Sequence, residues 1–188
     1  TDEAIEAYER SLHIYERLVD EDPENVSRRY DLTIAHENLG DALRDAASYE
    51  RALDSYRISA SIRREIIAQD PGNMQRLAAL VTSLQREGQV LRLLDRPGDA
   101  APILREALGL GRQVIERDRS NLLGWSMTMA SAWELGRVLE ASDGAGALEA
   151  YRTCRSLEFE FLSTGMERPR IGHDLDEVEA AIRRLESE

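Results

Sequence analysis

The chain contains no lysine. All 24 of its basic residues are arginine, set against 36 carboxylates, and the formal charge is -12. A surface that grips phosphate backbones needs net positive charge, so this balance argues against nucleic acid and anionic membranes as partners. A single cysteine, Cys154, excludes an intramolecular disulfide and any CxxC metal site. No run reaches the roughly 18 consecutive apolar residues that a membrane-spanning helix needs. No segment combines strand alternation with β-branched enrichment. No methionine stands at Thr1, which we read as a cut or processed end. The expected location is cytoplasmic.

What is present is long enough to be informative. The 188 residues suit one domain, at roughly 100–200 residues per domain, and about 70% of the surface of a chain this long can be buried. The acidity sits at the ends. Residues 1–24 carry nine acids and two arginines, residues 172–188 carry six and two, and the middle is nearly neutral. Such ends read as solvated helices, or as a field that repels nucleic acid and steers a basic partner.

A fixed period organises the chain. Asp22-Pro23 recurs 48 residues later as Asp70-Pro71, and Asn25, Asn73 and Asn121 keep the same step. So do Gly40, Gly88 and Gly136. Tyr8, Tyr56 and Leu104 follow it, with Tyr151 after 47, and Ala4, Ala52, Ala100 and Ala147 run four residues ahead of them. Repetition of this kind marks stacked supersecondary units.

Each period holds two helical patterns. Ala4, Ile5, Tyr8, Leu12, Tyr15 and Val19 fall on one helix face, and Asp22-Pro23 ends that helix. Val26, Tyr30, Ile34, Leu39 and Leu43 form the next pattern, which ends near Asp45, and Ser48 is placed to cap the helix that follows. Later turns are marked by Pro97-Gly98 and Gly144-Ala145-Gly146. The spacing predicts helices over 1–21, 24–45, 48–69, 73–94, 98–118, 121–141, 145–164 and 173–187. The expected fold is all-α: a right-handed α-solenoid of antiparallel helix pairs.

These residues resemble the tetratricopeptide repeats. The resemblance is carried by Leu39-Gly40, Leu43, Ala52, Tyr56 and Pro71 in one unit. Gly88, Leu91, Ala100, Leu104 and Ala107 carry it in the next, and Leu135-Gly136, Leu139, Tyr151 and Cys154 in the third. It divides the array, 1–171, into a half-unit 1–23 and units 24–71, 72–119 and 120–167, followed by a capping helix over 172–188. There are departures. The family unit is commonly 34 residues. Its tryptophan position holds His36, Leu84 and Ala132, Glu87 stands before Gly88 where a large apolar residue belongs, and Arg119 replaces the terminal proline. Residues 1–21 match a second helix whose first helix is absent, so the array is expected to start mid-unit. The last helix, with Asp176, Glu179 and Arg183 outward, is the expected cap.

The resemblance implies a concave face lined by the first helices. Ile34, Glu37, Asp41 and Arg44 are expected on it, then Gln85, Gln89 and Arg92, then Trp133, Arg137 and Glu140, with Trp125 reaching the same side. Tryptophan and arginine dominate binding hot spots, and arginine grips a carboxylate at two points. An extended peptide or an acidic helix would fit. The alternative is that Trp133 is partly core and the arginines pair with neighbouring acids. The family's clamp for a terminal carboxylate is not matched, because lysine is absent.

Enzymatic chemistry finds little support. Gly109-Leu110-Gly111 falls inside a helix with no strand before it, unlike a phosphate loop, and two helical glycines suggest a packing reason. His13, His36 and His173 lie on different units without metal-ligand spacing; His36 reads as a packed core histidine. Cys154 reads as a buried, inert thiol with no base evident in its segment. Arg28-Arg29 and Arg63-Arg64 are short pairs among acids, not a nucleic-acid stripe. The expectation is no catalytic activity, no cofactor and no metal site. The expected function is protein–protein interaction, as a scaffold or regulatory module of a larger multidomain protein. Exclusive use of arginine points to GC-rich coding and a bacterial source, and the resemblance implies neighbouring kinase, nucleotidase or protease domains. Two alternatives stand beside it. One is a sensor of a small ligand or signal peptide. The other is a homodimer through the uncovered face of the first helix, with Ile5, Leu12 and Val19 as contacts.

Overall fold

A computed structural model describes residues 2–167 and 172–187. Thr1 and residues 168–171, at the edges of the expected array, and Glu188, at the end of the expected closing helix, lie outside the described residues. Among the described residues there are eight helices and no strand: α1 (Asp2–Glu21), α2 (Val26–Asp45), α3 (Tyr49–Gln69), α4 (Met74–Leu93), α5 (Pro97–Arg117), α6 (Leu122–Leu139), α7 (Gly144–Leu162) and α8 (Leu175–Glu186). The fold is all-α. Each helix packs on its neighbours in the chain, and α4 also meets α6.

Two kinds of turn alternate, and each has a local cause. Before α2, α4 and α6 stand Asn25, Asn73 and Asn121. Each asparagine is the N-cap, its side chain accepting the backbone N–H three residues on. That satisfies one of the donors a helix start leaves unpaired. Asn25 and Asn73 also donate through Nδ2 to Asp22 and Asp70, at 3.0 and 3.2 Å. The asparagine column of the repeat is therefore a capping column, and it starts α2 two residues later than the sequence pattern suggests.

The turns into α3 and α5 are of another kind. Ala47 and Asp95, again one period apart, adopt positive φ of 56° and 55°. The next backbone N–H then reaches back to Leu43 O at 2.8 Å and to Leu91 O at 2.9 Å. This is the left-handed helix stop that leaves few carbonyls unpaired. Ser48 occupies the N-cap of α3, but contrary to expectation its side chain makes no capping hydrogen bond. The left-handed residue before it already sets the chain's path. A capping box of Asp174 and Glu177 opens α8.

The remaining columns of the repeat meet in space. A Cβ placed on Gly40 would lie 2.6 Å from Tyr56 Cε1, one on Gly88 2.6 Å from Leu104 Cδ2, and one on Gly136 2.5 Å from Tyr151 Cε1. The glycine of each first helix lets the ring or leucine of the second helix lie on its backbone. Tyr56, Leu104 and Tyr151 are fully buried, as are Ala52, Ala100 and Ala147 one turn earlier. The pairs straddle the intervening turn symmetrically, so the two helices run antiparallel.

The Gly109-Leu110-Gly111 segment lies within α5, away from any strand. Its two glycines differ. A Cβ at Gly111 would collide with Thr128 Oγ1 on α6, whereas one at Gly109 would meet nothing within 4 Å. Gly111 has a packing role and Gly109 does not. Gly109→Ala should therefore raise stability by about 1 kcal/mol through helix propensity. Gly111→Ala should lower it by about 1–3 kcal/mol through overpacking. Urea denaturation of the two variants beside the wild type measures both signs.

Candidate functional site

The expected face is built from α2, α4 and α6, and its deepest element is an ion pair. Arg63 on α3 and Glu37 on α2 have side chains only 4% and 9% exposed. The guanidinium holds the carboxylate at two points, Nη1 to Oε1 at 2.6 Å and Nη2 to Oε2 at 3.0 Å. Its Nε donates to Thr33 Oγ1 at 3.1 Å, and Nη1 also reaches Ser83 Oγ at 2.8 Å and the Ala79 carbonyl on α4. Ser83 donates to Glu37 Oε1 at 2.7 Å. A buried charge pair survives only when its remaining valences are met this fully.

From Glu37 the network climbs toward solvent. Arg86 on α4 bridges Glu37 at 3.0 Å and Asp41 at 3.1 Å. Asp41 accepts from the Tyr56 hydroxyl at 2.7 Å and from Arg44 at 3.1 Å. Burial, then the hydrogen bond to Asp41, pushes the Tyr56 phenol well above its ordinary range. At the far end Glu140 accepts from the Tyr151 hydroxyl and from Arg184 of α8, the latter at 2.7 Å, and Tyr151 is pushed up for the same two reasons. Between them Gln85 donates to Met127 O at 2.7 Å and to Ser131 at 3.0 Å, and Glu134 takes Arg92 and Arg137, both at 3.1 Å. The row of first helices is thus stitched into one continuous surface.

The expected partner-binding residues separate into two groups. Glu37 is buried, and Asp41, Arg44, Gln85, Gln89, Arg92 and Trp133 are half-buried, while Arg137 and Glu140 are exposed. Arg44, Arg92 and Arg137 each pair with an acid of their own chain. Trp125 does not reach this face. It is fully buried, donates through Nε1 to Arg119 O at 2.9 Å, and meets Phe161 edge-on. Trp133 lies between Tyr151, at a centroid distance of 5.1 Å, and His173, stacked at 4.9 Å. Glu87, the unexpected acid before Gly88, is buried beside Arg57 at 3.1 Å. Burial raises its carboxyl above the ordinary value, against the pull of Arg57.

One expectation needs correction. Cys154 does have an imidazole beside it: His173 Nε2 lies 3.2 Å from Sγ, with Glu158 Oε1 3.5 Å from the same nitrogen. All three side chains are buried. The contact joins residues 19 apart in sequence, which spacing rules do not see. Ile5, Leu12 and Val19, expected as dimer contacts, are half-buried, and Ile5 and Leu12 pack against the core. Among the described residues no three His, Cys, Asp or Glu side chains are placed to hold a metal ion, and no helix is long and apolar enough to cross a membrane. Sequence reading missed Arg63, Arg86 and Glu134 as organising residues. The signal for Arg63 was present: it stands seven residues after Tyr56, on the same face of α3.

Comparison with known proteins adds little. No protein-family model matches the chain, and no curated protein matches it. Among solved structures it is similar to BtubC (BKLC) from P. vanneervenii, at 13% identity over 99% of this chain and 83% of that one, with a TM-score of 0.46. A likeness of that degree bears on neither fold nor function.

Two measurements test this account. Arg63→Met leaves Glu37 buried without its two-point partner and should cost about 3 kcal/mol, while Arg63→Met with Glu37→Leu should recover a large part of it. A double-mutant cycle in urea reads the coupling. The second concerns His36, which is buried with no hydrogen-bond partner for Nδ1 among the described residues. Burial lowers its pKa below the ordinary 6.5, against a smaller opposite pull from Glu16. Well above that value both folded and unfolded chains are neutral there. As pH falls through it the unfolded chain takes up a proton that the folded chain refuses, so stability falls. Urea midpoints at pH 7.5 and 5.5 should differ less for His36→Leu than for the wild type.

Proposed function

We propose that the chain is a protein–protein interaction module, an α-solenoid of tetratricopeptide type that binds a peptide or partner protein along the concave face of α2, α4 and α6. The observation that carries this reading is the continuity of that row: Arg86 with Glu37 and Asp41, and Arg92 and Gln85 with α6, hold three first helices edge to edge. The repeat columns of glycine, alanine and tyrosine agree with it. A surface braced in this way is preorganised, so a ligand would not have to order it on binding. On these helices Ile34 and Leu93 are exposed at 39% and 41%, and Arg137 and Glu140 are exposed as well. Apolar anchors rimmed by charge are the composition of a docking surface.

Trp133 and Arg92 are structural in this reading, so the test uses residues whose loss spares the packing. A photo-crosslinking amino acid placed at Gln89, Leu93 or Arg137 should capture one and the same partner from native extract. The same probe at Arg105, on α5, should not. The combined variant Ile34→Asp, Leu93→Asp should abolish capture while leaving the thermal midpoint within a few degrees of wild type. Capture from Arg105 alone would move the site to the second-helix face.

A further inference from the structure

Two arginines of α5 lack the acids that hold their counterparts on α3. At the junction of α3, α4 and α5, Arg57 donates to Glu87 at 3.1 Å, and Arg64 holds Glu106 at two points, 3.1 and 2.8 Å. One period later, at the junction of α5, α6 and α7, both arginines recur as Arg105 and Arg112. Neither acid does. Leu135 stands 48 residues after Glu87. Thr153 stands 47 after Glu106, the step that also separates Tyr151 from Leu104. Among the described residues Arg105 and Arg112 make no ion pair and no side-chain hydrogen bond.

The four positions meet in space. Arg105, Arg112, Leu135 and Thr153 line one cavity of about 210 Å³. Leu135 and Leu139 of α6 are buried and form its floor, while the two arginines are exposed at its mouth. The arginines stand two turns apart on one face of α5, about 10 Å along the axis. The preceding unit shows what such a pair takes, which is one carboxylate for each guanidinium fork. Glu149, the one acid of the lining, is exposed and engages neither arginine. A long acidic segment does not suit the place, because the chain carries a charge of -12 and further carboxylates would fall on Glu149 and its acidic surroundings. A compact molecule with two carboxylates on a short apolar spacer does. Its ends reach the arginines, and its middle lies on the leucine floor.

We propose that the cavity of α5, α6 and α7 binds a small dicarboxylate, with Arg105 and Arg112 each taking one carboxylate. The ligand supplies the two acids that Glu87 and Glu106 supply one unit earlier. The site opens on the second-helix side, apart from the face of α2, α4 and α6, and does not rest on a partner binding there.

Isothermal titration calorimetry at low ionic strength tests this with the straight-chain dicarboxylates from succinate to suberate, each beside the monocarboxylate of equal carbon number. At least one dicarboxylate should bind with a Kd of about 1 mM or tighter, and its monocarboxylate about tenfold more weakly. Arg105→Gln and Arg112→Gln should each weaken binding about tenfold. Thr153→Glu gives Arg112 the internal acid that Glu106 gives Arg64, so it should abolish binding without lowering the thermal midpoint. Absence of saturable binding across the series, equal affinity for the matched monocarboxylate, or binding indifferent to Arg112→Gln and Thr153→Glu overturns the proposal. So does binding of a glutamate-rich peptide where no dicarboxylate binds, since the arginines would then serve a partner protein.

Discussion

The close approach of a glycine backbone to a bulky side chain fixes the geometry on which the other contacts depend. At Gly40, Gly88 and Gly136 the first helix of each unit comes so near the second that no side chain could intervene. Once a Tyr56 or Tyr151 ring is seated there, its hydroxyl is delivered to a set height on the first helix. The acids that receive it, Asp41 and Glu140, are then positioned for their arginines. In the middle unit leucine replaces tyrosine, and there is no hydroxyl to receive. Gln89 stands where Asp41 would be, and the contacts with α6 are taken over by Gln85 and Arg92. One steric constraint thus sorts the polar residues of three units.

The charges that look out of place in the repeat follow the same order. Glu37, Arg63 and Glu87 are buried, and each is answered from a neighbouring helix. Arginine suits this work better than lysine. Its planar fork can satisfy a carboxylate, a hydroxyl and a carbonyl together, as Arg63 does. Such pairs add little net stability over a hydrophobic replacement. They do penalise misplacement, because a helix slipped by one turn would leave a charge buried alone.

How much of this could be read in advance depended on the range of the cause. Helix ends are local matters of capping and left-handed stops, and the eight described helices lie within two residues of their expected bounds. The glycine and tyrosine columns were also legible, because repetition exposed them three times over. Trp125 was not. Its place against Phe161 depends on how α6 is rotated beneath α7, which no spacing within α6 decides. The pairing of His173 with Cys154 and the burial of Glu37 arise only when separate helices close on one another. The half-buried state of Ile5 and Leu12 likewise depends on the roll of α1 against α2.

The ion pairs between like helices have a mechanical consequence. Several of them share nearly the same step. On the second helices Arg51 reaches Glu9 and Arg64 reaches Glu106, each across 42 residues, and from the turn after α5 Arg119 reaches Glu160 on α7 across 41. On the first helices Arg92 reaches Glu134, also across 42. The former pairs are the wetter ones: Arg51 and Arg119 are 58% and 68% exposed, against 29% for Arg92. Salt screens exposed pairs far more than sheltered ones. Rising ionic strength therefore slackens the exposed pairs before the sheltered one.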